Sequence, residues 1–163
     1  VSLADPFCAD LSAVCAVALA AGGARLHRGG TYLAMEGPQF SSRAESRMYR
    51  QWGADVIGMA AMPEARLARE AELCYASVAM VTDYDCWHED HGAVDVAQVI
   101  AVLAQNAGTA KAMIAALPGH LTATKPPCPC GCDRALDHAV MTPPGARDAT
   151  AVARLRTIAG RVL

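Results

Sequence analysis

Blocks of apolar residues recur along the chain, and the spacing inside each block predicts an element of secondary structure. Helical spacing predicts a helix over residues 6–21, which a Gly-Gly pair ends. Apolar residues over 24–27 and 31–36 predict two strands, and Arg28-Gly29-Gly30 between them is typical of a tight turn. The chain is therefore predicted to open with one helix followed by a pair of strands.

Ser42 marks the start of the next predicted helix, because Glu45 follows it three residues later in the pattern of a capping box. The helical pattern runs to about Trp52, and the short apolar run 54–59 then predicts a strand. A further helix is predicted over 63–72, where a proline occupies the first position. A helix, a strand and a second helix thus follow the opening strands.

The later part of the chain begins with another apolar run, residues 73–81, which predicts a buried strand. Strands that alternate with helices imply parallel pairing, so the pattern predicts a layered α/β/α fold with a mixed, mainly parallel sheet. One long helix is predicted over 94–117. Residues 118–147 hold six of the nine prolines and predict an irregular arm, and a last helix is predicted over 148–163 with Asp148 as its cap.

Composition limits the classes of function that are open to the chain. With 163 residues, of which 53% are hydrophobic and 18% charged, the chain is predicted to form one soluble α/β domain. A net charge of -2 with only 14 Lys+Arg offers no basic surface for nucleic acid. The most apolar stretch, 11–24, is shorter than the roughly 20 residues that a membrane span requires. It predicts a buried helix, and no membrane association is expected.

The beginning of the chain carries two further signals. No charged segment precedes the apolar stretch in the manner of a signal peptide, so the chain is predicted to be cytoplasmic. The first residue is Val1 rather than Met, and the residues after it carry no helix-start signal. We therefore interpret the chain as the C-terminal portion of a longer protein.

Two carboxylates, Asp83 and Asp85, follow the predicted strand 73–81. Ligands of α/β proteins bind at the carboxyl ends of strands, and the period of two would place both side chains on the same side. Both could then hydrogen-bond one ligand, or one could carry a proton for it. The alternative is a loop in which one Asp caps the following helix and the other is solvated. His88 and His91, just beyond the pair, are predicted to be surface residues.

Four ordered segments closely resemble the S-methyl-5'-thioadenosine phosphorylases, a family of trimeric purine nucleoside phosphorylases. They are 30–46 (GTYLAMEGPQFSSRAES), 52–59 (WGADVIGM), 62–65 (MPEA) and 74–87 (CYASVAMVTDYDCW). The chain as a whole resembles the C-terminal half of that family. The N-terminal half, which in the family carries a glycine-rich phosphate loop, has no counterpart in the sequence.

This resemblance implies a phosphorylase/hydrolase-like fold, a homotrimer and a place in purine and methionine salvage. The implied reaction uses phosphate as a co-substrate and splits methylthioadenosine into adenine and 5-methylthioribose 1-phosphate. No metal and no organic cofactor is implied. Two other functions stay open, a broader purine nucleoside phosphorylase and a non-catalytic purine-binding or assembly subunit.

For the Asp pair, the resemblance implies contacts with the purine. Phosphorolysis leaves negative charge on the departing base, so a buried carboxylic acid beside N7 can donate a proton, and the position that matches Asp83 has this role in the family. The position that matches Asp85 accepts a hydrogen bond from the 6-amino group, which favours adenine over a 6-oxopurine. Tyr84, between the two, is implied as a further substrate contact.

The other implied substrate contacts come from three separate segments. Phe40 would stack on the purine, although an aromatic residue is by itself more often part of a core. Ser41 is a small hydroxyl where the related 6-oxopurine phosphorylases carry Glu. Met59 would contact the sugar, Ile57 would be an additional substrate contact, and Val96 would line the pocket of the 5'-methylthio group.

Ala60 departs from the resembled pattern, in which a Thr or Ser hydroxyl at this position binds phosphate. A methyl group cannot make that hydrogen bond. Either phosphate is bound more weakly, or backbone groups compensate, or activity has been lost.

Three cysteines, Cys128, Cys130 and Cys132, fall within five residues of the irregular arm. With His138 they could form a tetrahedral zinc site, but this spacing is tighter than that of the usual cysteine pair in a structural zinc site. The alternatives are a disulfide or reduced thiols, and reduced thiols fit a cytosolic protein best. The other cysteines lie in apolar segments and are predicted to be buried thiols: Cys8, Cys15, Cys74 and Cys86.

Overall fold

The computed structural model describes residues 1–88, 96–122 and 126–163. The helices and strands in this part of the chain are α1 (Ala9–Ala21), β1 (Tyr32–Ala34), α2 (Arg43–Gln51), β2 (Val56–Gly58), α3 (Ala61–Glu70), α4 (Val96–Ala116) and α5 (Ala149–Ala159). Short 3-10 turns lie at Asp85–Trp87, Leu117–His120, Cys132–Arg134 and Pro144–Ala146. Helices together with a parallel strand pair confirm the predicted α/β class.

The two strands pair in parallel, in the register Tyr32 with Val56, Leu33 with Ile57 and Ala34 with Gly58. At one end of the pair, the Thr31 amide donates to Asp55 Oδ2 at 2.7 Å. At the other end, the Met35 amide donates to the Gly58 carbonyl at 2.9 Å. A Cβ at Gly58 would lie 1.8 Å from the Tyr32 hydroxyl oxygen, so a larger residue there would require the Tyr32 side chain to move.

The predictions of strands over 24–27 and 73–81 were wrong. Neither segment forms a strand, and β1 pairs in parallel with β2, which follows it in the sequence after α2. A strand exists through hydrogen bonds to a neighbouring strand, and an apolar run does not specify that neighbour. Met80 and Val81 are exposed rather than buried.

Local capping signals predicted the helices more accurately. The Ser42 hydroxyl accepts from the Glu45 amide at 3.3 Å, and the Glu45 carboxylate accepts from the Ser42 amide at 2.7 Å, which confirms the capping box of α2. The hydrogen bonds from Ser42 hold the pKa of the Glu45 carboxyl below its ordinary value. Gly53 follows this helix in the left-handed conformation, as the predicted stop requires.

The remaining helices also follow the predicted pattern, with shifted ends. α3 begins at Ala61 rather than at Pro63, and α4 ends at Ala116 before a 3-10 turn. Asp148 caps α5 by accepting from the Ala151 amide at 2.7 Å, and α5 ends at Ala159. Between 126 and 147 the chain forms only short turns, as predicted for the irregular arm.

The chain divides into two compact units. Unit 1 consists of Val1–Ala13, Met62–Ser77 and Ala123–Leu163, and unit 2 of Val14–Ala61 and Val78–Thr122. Among the described residues, the buried side chains of unit 1 include Cys8, Ala65, Cys132 and Leu136. Those of unit 2 include Ser46 and four residues of α1, namely Cys15, Ala16, Ala18 and Leu19.

A charged network joins two of the three segments of unit 1, Met62–Ser77 and Ala123–Leu163. Arg161 Nε donates to Glu72 Oε2 at 2.8 Å, and Arg161 Nη2 lies 2.6 Å from Asp137 Oδ1. The Leu136 amide also donates to the Glu72 carboxylate, at 2.9 Å. The Arg161 guanidinium holds the pKa values of the Glu72 and Asp137 carboxyls below their ordinary values.

Residues Ala97–His120, most of which belong to α4, are long and apolar enough to cross a membrane. This criterion considers only length and composition, and core helices of soluble proteins also meet it. Ile100, Leu103 and Ile114 on this helix are exposed. One such helix is weak evidence for a membrane protein.

Candidate functional site

Asp83 lies in an irregular loop of unit 2, and its carboxylate accepts two local hydrogen bonds. The Asp85 amide donates to Asp83 Oδ1 at 2.8 Å, and the Thr82 hydroxyl donates to Asp83 Oδ2 at 2.7 Å. The first of these bonds spans Tyr84 in an Asx turn at the start of the short turn Asp85–Trp87, where the N-cap residue Tyr84 makes no side-chain cap hydrogen bond. Asp83 is exposed, whereas Asp85 is half-buried rather than solvated. Asp83 thus supports a local turn, and its carboxylate stays accessible to a ligand.

Asp85 is held more firmly, by donors from two directions. The Ser46 hydroxyl donates to Asp85 Oδ2 at 2.7 Å, and the Cys86 amide donates to Asp85 Oδ1 at 2.8 Å. Asp85 has φ 60°, in the left-handed region, which Asp tolerates better than most residues. The prediction that extended backbone sends both carboxylates to one side therefore does not apply, because the backbone leaves the extended conformation at Asp85.

Ser46 is the residue of the candidate site that sequence reasoning missed. It lies on α2 between charged neighbours, and nothing in the hydrophobic pattern marks it. Its exposure of 2% shows that its hydroxyl faces the protein interior, where a polar group needs a partner. The Asp85 carboxylate is that partner, so α2 positions the second carboxylate of the pair.

The loop that carries the Asp pair is also anchored to the segment before α2. The Cys86 thiol donates to the Ser41 carbonyl at 3.5 Å, and the Arg50 guanidinium lies 3.4 Å from the ring centroid of Trp87. Trp87 also packs against Tyr84, with ring centroids 6.1 Å apart. Trp87 therefore packs against Arg50 of α2 and against Tyr84, and the Cys86 contact brings the Ser41 backbone beside the Asp loop.

Phe40 and Tyr84 are the exposed aromatic residues among the predicted site residues. Phe40 is 84% exposed, which excludes a role as a core residue in this chain. Tyr84 is 60% exposed and touches the ring of His88 on one side. Large exposed aromatic side chains are suited to stacking against a planar ligand. The Ser41 hydroxyl is directed to Met35 Sδ at 3.7 Å.

The remaining predicted residues lie at or near the end of β2. Ile57 is half-buried in the strand, and Met59 follows it. A Cβ at Gly37 would lie 3.3 Å from Met59 Sδ, so this side chain contacts the turn before Phe40. Ala60 is exposed immediately before α3.

Two sequence-predicted positions cannot be placed by their side chains. Val96 is the first residue of α4, and only its backbone belongs to the described structure. His91 lies outside the described residues. All the other predicted substrate contacts belong to unit 2.

A second group of chemically capable side chains lies in unit 1. The sulfur atoms of four cysteines lie within 4.8 Å of one another: Cys8, Cys74, Cys128 and Cys132, which we call the cysteine cluster. Burial raises the pKa of Cys74 to about 11. Burial also acts to raise the pKa of Cys128, but hydrogen bonds from the Cys132 and Cys130 amides outweigh it and lower that pKa to about 7. Among the described residues, this cluster is the group that could hold a metal ion.

A groove of about 490 Å³ also lies in unit 1, and its lining includes Phe7, Arg69 and Cys130. None of its lining residues is a predicted substrate contact. The predicted substrate contacts lie instead on open surface of unit 2, where several are exposed.

Comparison with known sequences covers the whole chain. The chain is 60% identical over 163 residues to S-methyl-5'-thioadenosine phosphorylase of Cereibacter sphaeroides, an alignment that covers 100% of this chain and 56% of the relative. The chain thus spans about half the length of the curated relatives it matches. This similarity confirms the resemblance that the four sequence segments indicated.

Solved structures match the fold as well. A methylthioadenosine phosphorylase from an Antarctic soil metagenomic library matches with a TM-score of 0.87 and 40% identity, over 97% of this chain and 55% of that chain. A methylthioadenosine phosphorylase from Schistosoma mansoni in complex with adenine matches with a TM-score of 0.68 and 27% identity, over 76% of this chain and 49% of that chain. Residues 1–117 match the family model of the Phosphorylase superfamily, and the chain therefore belongs to that superfamily.

Proposed function

We propose that the protein to which this chain belongs catalyses the phosphorolysis of S-methyl-5'-thioadenosine to adenine and 5-methylthioribose 1-phosphate. The observation that carries the proposal is the Asp loop, in which Ser46 and the Cys86 amide hold the Asp85 carboxylate in one orientation. This loop belongs to a chain whose relatives of similar sequence over its full length are phosphorylases of that name.

Asp85 would recognise the base through its 6-amino group. A carboxylate has acceptor sites and no donor, so it pairs with an amino group and repels the oxygen of a 6-oxopurine. Each of its oxygens already accepts one hydrogen bond within the protein, and each has a second lone pair for a ligand. The selectivity for adenine would therefore come from a carboxylate that cannot rotate away from the base.

Asp83 would act as the general acid. Its carboxyl group can donate a proton to N7 of the departing purine only while it is protonated, which requires shielding from water. In this chain Asp83 is exposed, so bound substrate and the remaining part of the protein would supply that shielding. Phe40 and Tyr84 would cover faces of the base, and Met59 and Ile57 would contact the nucleoside.

The phosphate half of the reaction rests on residues outside this chain. Ala60 has no hydroxyl with which to bind phosphate, so only its backbone could contribute. Ser41 would leave room for adenine, and Val96 would contact the methylthio group. The same proposal includes phosphate as the co-substrate, a homotrimeric assembly, a cytoplasmic location and a role in methionine salvage.

A direct test uses the full-length protein with methylthioadenosine and measures adenine release with and without phosphate. We expect release that depends on phosphate, with much slower release of hypoxanthine from inosine. Asp85→Asn supplies a donor where the wild type has only acceptors, so we expect the ratio of kcat/KM for the two substrates to shift toward inosine by about 10-fold or more. An unchanged ratio would contradict the role of Asp85.

A second candidate is a non-catalytic purine-binding protein, which Ala60 favours. It predicts that adenine binds, as measured by calorimetry, while no adenine is released at any phosphate concentration. Replacing Ala60 by Thr separates the possibilities further, because a restored hydroxyl should lower the KM for phosphate only in an active enzyme.

A further inference from the structure

The cysteine cluster brings together residues from three segments of unit 1 that are far apart in the sequence. Cys8 Sγ lies 3.7 Å from Cys128 Sγ, and Cys74 Sγ lies 3.5 Å from Cys128 Sγ. Cys8 and Cys132 are each only 1% exposed. The four thiols therefore form one compact and mostly buried group of sulfur atoms.

The distances exclude a disulfide and are compatible with a shared metal ion. A disulfide requires its sulfur atoms to lie about 2.0 Å apart. A tetrahedral zinc ion with Zn–S bonds of about 2.3 Å separates its sulfur ligands by about 3.8 Å. The separations of 3.5 and 3.7 Å are close to the edge of that tetrahedron.

The loop that carries two of the cysteines has the local geometry of a metal-binding turn. Cys128 and Cys132 are separated by three residues, a spacing found in structural zinc sites. The Gly131 amide donates to the Cys128 carbonyl at 2.8 Å, and Gly131 has φ 67°, which a residue with a side chain adopts only with strain. The turn brings both thiols to the same side of the loop.

Donors around the cluster suit a set of thiolates. The Leu11 amide points to Cys8 Sγ at 3.5 Å, and Arg69 Nη1 lies 3.8 Å from Cys132 Sγ. Hydrogen bonds to ligand atoms orient them and stabilise their charge, and a guanidinium offsets part of the net negative charge of four thiolates around one divalent ion.

This grouping differs from the one that the sequence suggested. Cys130 is exposed and lies outside the cluster, and His138 is not part of it. Cys8 and Cys74 take the places that the sequence analysis considered for Cys130 and His138. The sequence analysis doubted zinc because Cys128, Cys130 and Cys132 are spaced too tightly to be ligands together. That objection does not apply to the cysteine cluster, which does not include Cys130.

We propose that the cysteine cluster binds one structural Zn²⁺ ion. Binding replaces four S–H bonds by four Zn–S bonds and releases four protons to solvent, with no transfer of electrons. Four protein ligands leave no open position for water or substrate, so the ion stabilises unit 1 and does not take part in a reaction. It joins the segment before α1, the segment after α3 and the irregular arm. This proposal does not depend on the proposed function.

The test is metal analysis of the full-length protein, purified under reducing conditions without chelator. We expect close to one zinc ion per chain. Cys128→Ser and Cys132→Ser should reduce the zinc content at least about five-fold, because each removes one of four ligands. Cys130→Ser is the matched control, since it changes an exposed thiol in the same turn and should leave the zinc content unchanged.

Measurements on the wild type keep the proposal testable if a variant fails to fold. Protein reconstituted with Co²⁺ should show the intense absorption of tetrahedral cobalt thiolate, and Zn²⁺ should displace that ion. Three results would overturn the proposal: no zinc even after reconstitution with Zn²⁺, iron in place of zinc, or a non-reduced mass lower by two hydrogen atoms, which indicates a disulfide.

Discussion

Unit 1 and unit 2 stabilise their key side chains by different chemistry. In unit 2, a buried hydroxyl on α2 and two backbone amides hold a pair of carboxylates, of which Asp83 is exposed. In unit 1, four thiols from three segments converge, and the Arg161 network joins two of the same segments. Unit 2 thus leaves a carboxylate open to a ligand, whereas unit 1 brings side chains from distant segments together.

The largest expected effect concerns Asp83. Asp83→Asn keeps an oxygen to accept the Asp85 amide but has no acidic proton, so we expect kcat for methylthioadenosine to fall about 10²–10⁴-fold with a smaller change in KM. Steady-state kinetics on the full-length protein measures this. Asp10→Asn on α1 is the control. An unaffected kcat would eliminate Asp83 as the proton donor.

Removal of the proposed zinc ion should affect unit 1 and leave the Asp loop unchanged. We expect a strong chelator to lower the free energy of local opening by about 3 kcal/mol or more near Cys8, Cys74 and Cys132, because structural zinc contributes directly to folding. Amide hydrogen exchange by mass spectrometry compares these segments with α2. If the chelator increased amide exchange equally in these segments and in α2, the claim that the metal stabilises unit 1 alone would be wrong.

Ser46 tests whether the position of Asp85 matters. Ser46→Ala removes one of the two donors to the Asp85 carboxylate, and we expect kcat/KM for methylthioadenosine to fall about 10-fold, in line with about 1.4 kcal/mol for a lost hydrogen bond to a charged group. The readout specific to positioning is a smaller preference for methylthioadenosine over inosine. Ser12→Ala on α1 is the control, and a loss of stability with unchanged preference would reduce Ser46 to a structural role.

Each unit has a helix whose N-cap side chain can be removed by substitution with Ala. Ser42→Ala removes the cap of α2 and Asp148→Ala that of α5, and each should lower the free energy of unfolding by about 1 kcal/mol. Urea unfolding measures both. We expect only Ser42→Ala to change the kinetics as well, because α2 carries Ser46. Kinetic effects of equal size from the two caps would contradict this.

The smallest effect is the pH dependence of the Arg161 network. Arg161 lowers the pKa of the Glu72 carboxyl, so the network stabilises the folded state above the unfolded pKa of about 4.3 and loses this contribution as the pH falls through the lowered folded value. Arg161→Ala should therefore be less stable than the wild type at neutral pH, and the difference should shrink in acid. Urea midpoints test this, with Arg156→Ala as control. A difference independent of pH would exclude Glu72 as its source.

Local signals predicted the helices well. The capping box at Ser42, the cap at Asp148 and the apolar period of α4 depend on residues within one or two turns, and the structure has helices at all three places. The strands were predicted less well. Residues 73–81 have the apolar character of a strand but no neighbouring strand to pair with among the described residues, and sequence alone does not supply one.

The candidate site was also predicted only in part from the sequence. The segments that carry Phe40, Met59 and Asp83 were identified from the sequence through their resemblance to a family. The contact between Ser46 and Asp85 joins residues 39 positions apart, and no local sequence pattern predicts it. The left-handed backbone at Asp85 likewise overturned an argument from strand periodicity.

By itself, the sequence determined the α/β class, the helix boundaries to within a few residues and the family. These depend on local hydrogen bonds and on short motifs, which involve residues close together in the sequence. Tertiary structure alone decided which carboxylate is held by α2 and which four of the seven cysteines meet. The reason is physical: Cys8 and Cys128 lie 120 positions apart, and only the folded chain brings their sulfur atoms to 3.7 Å.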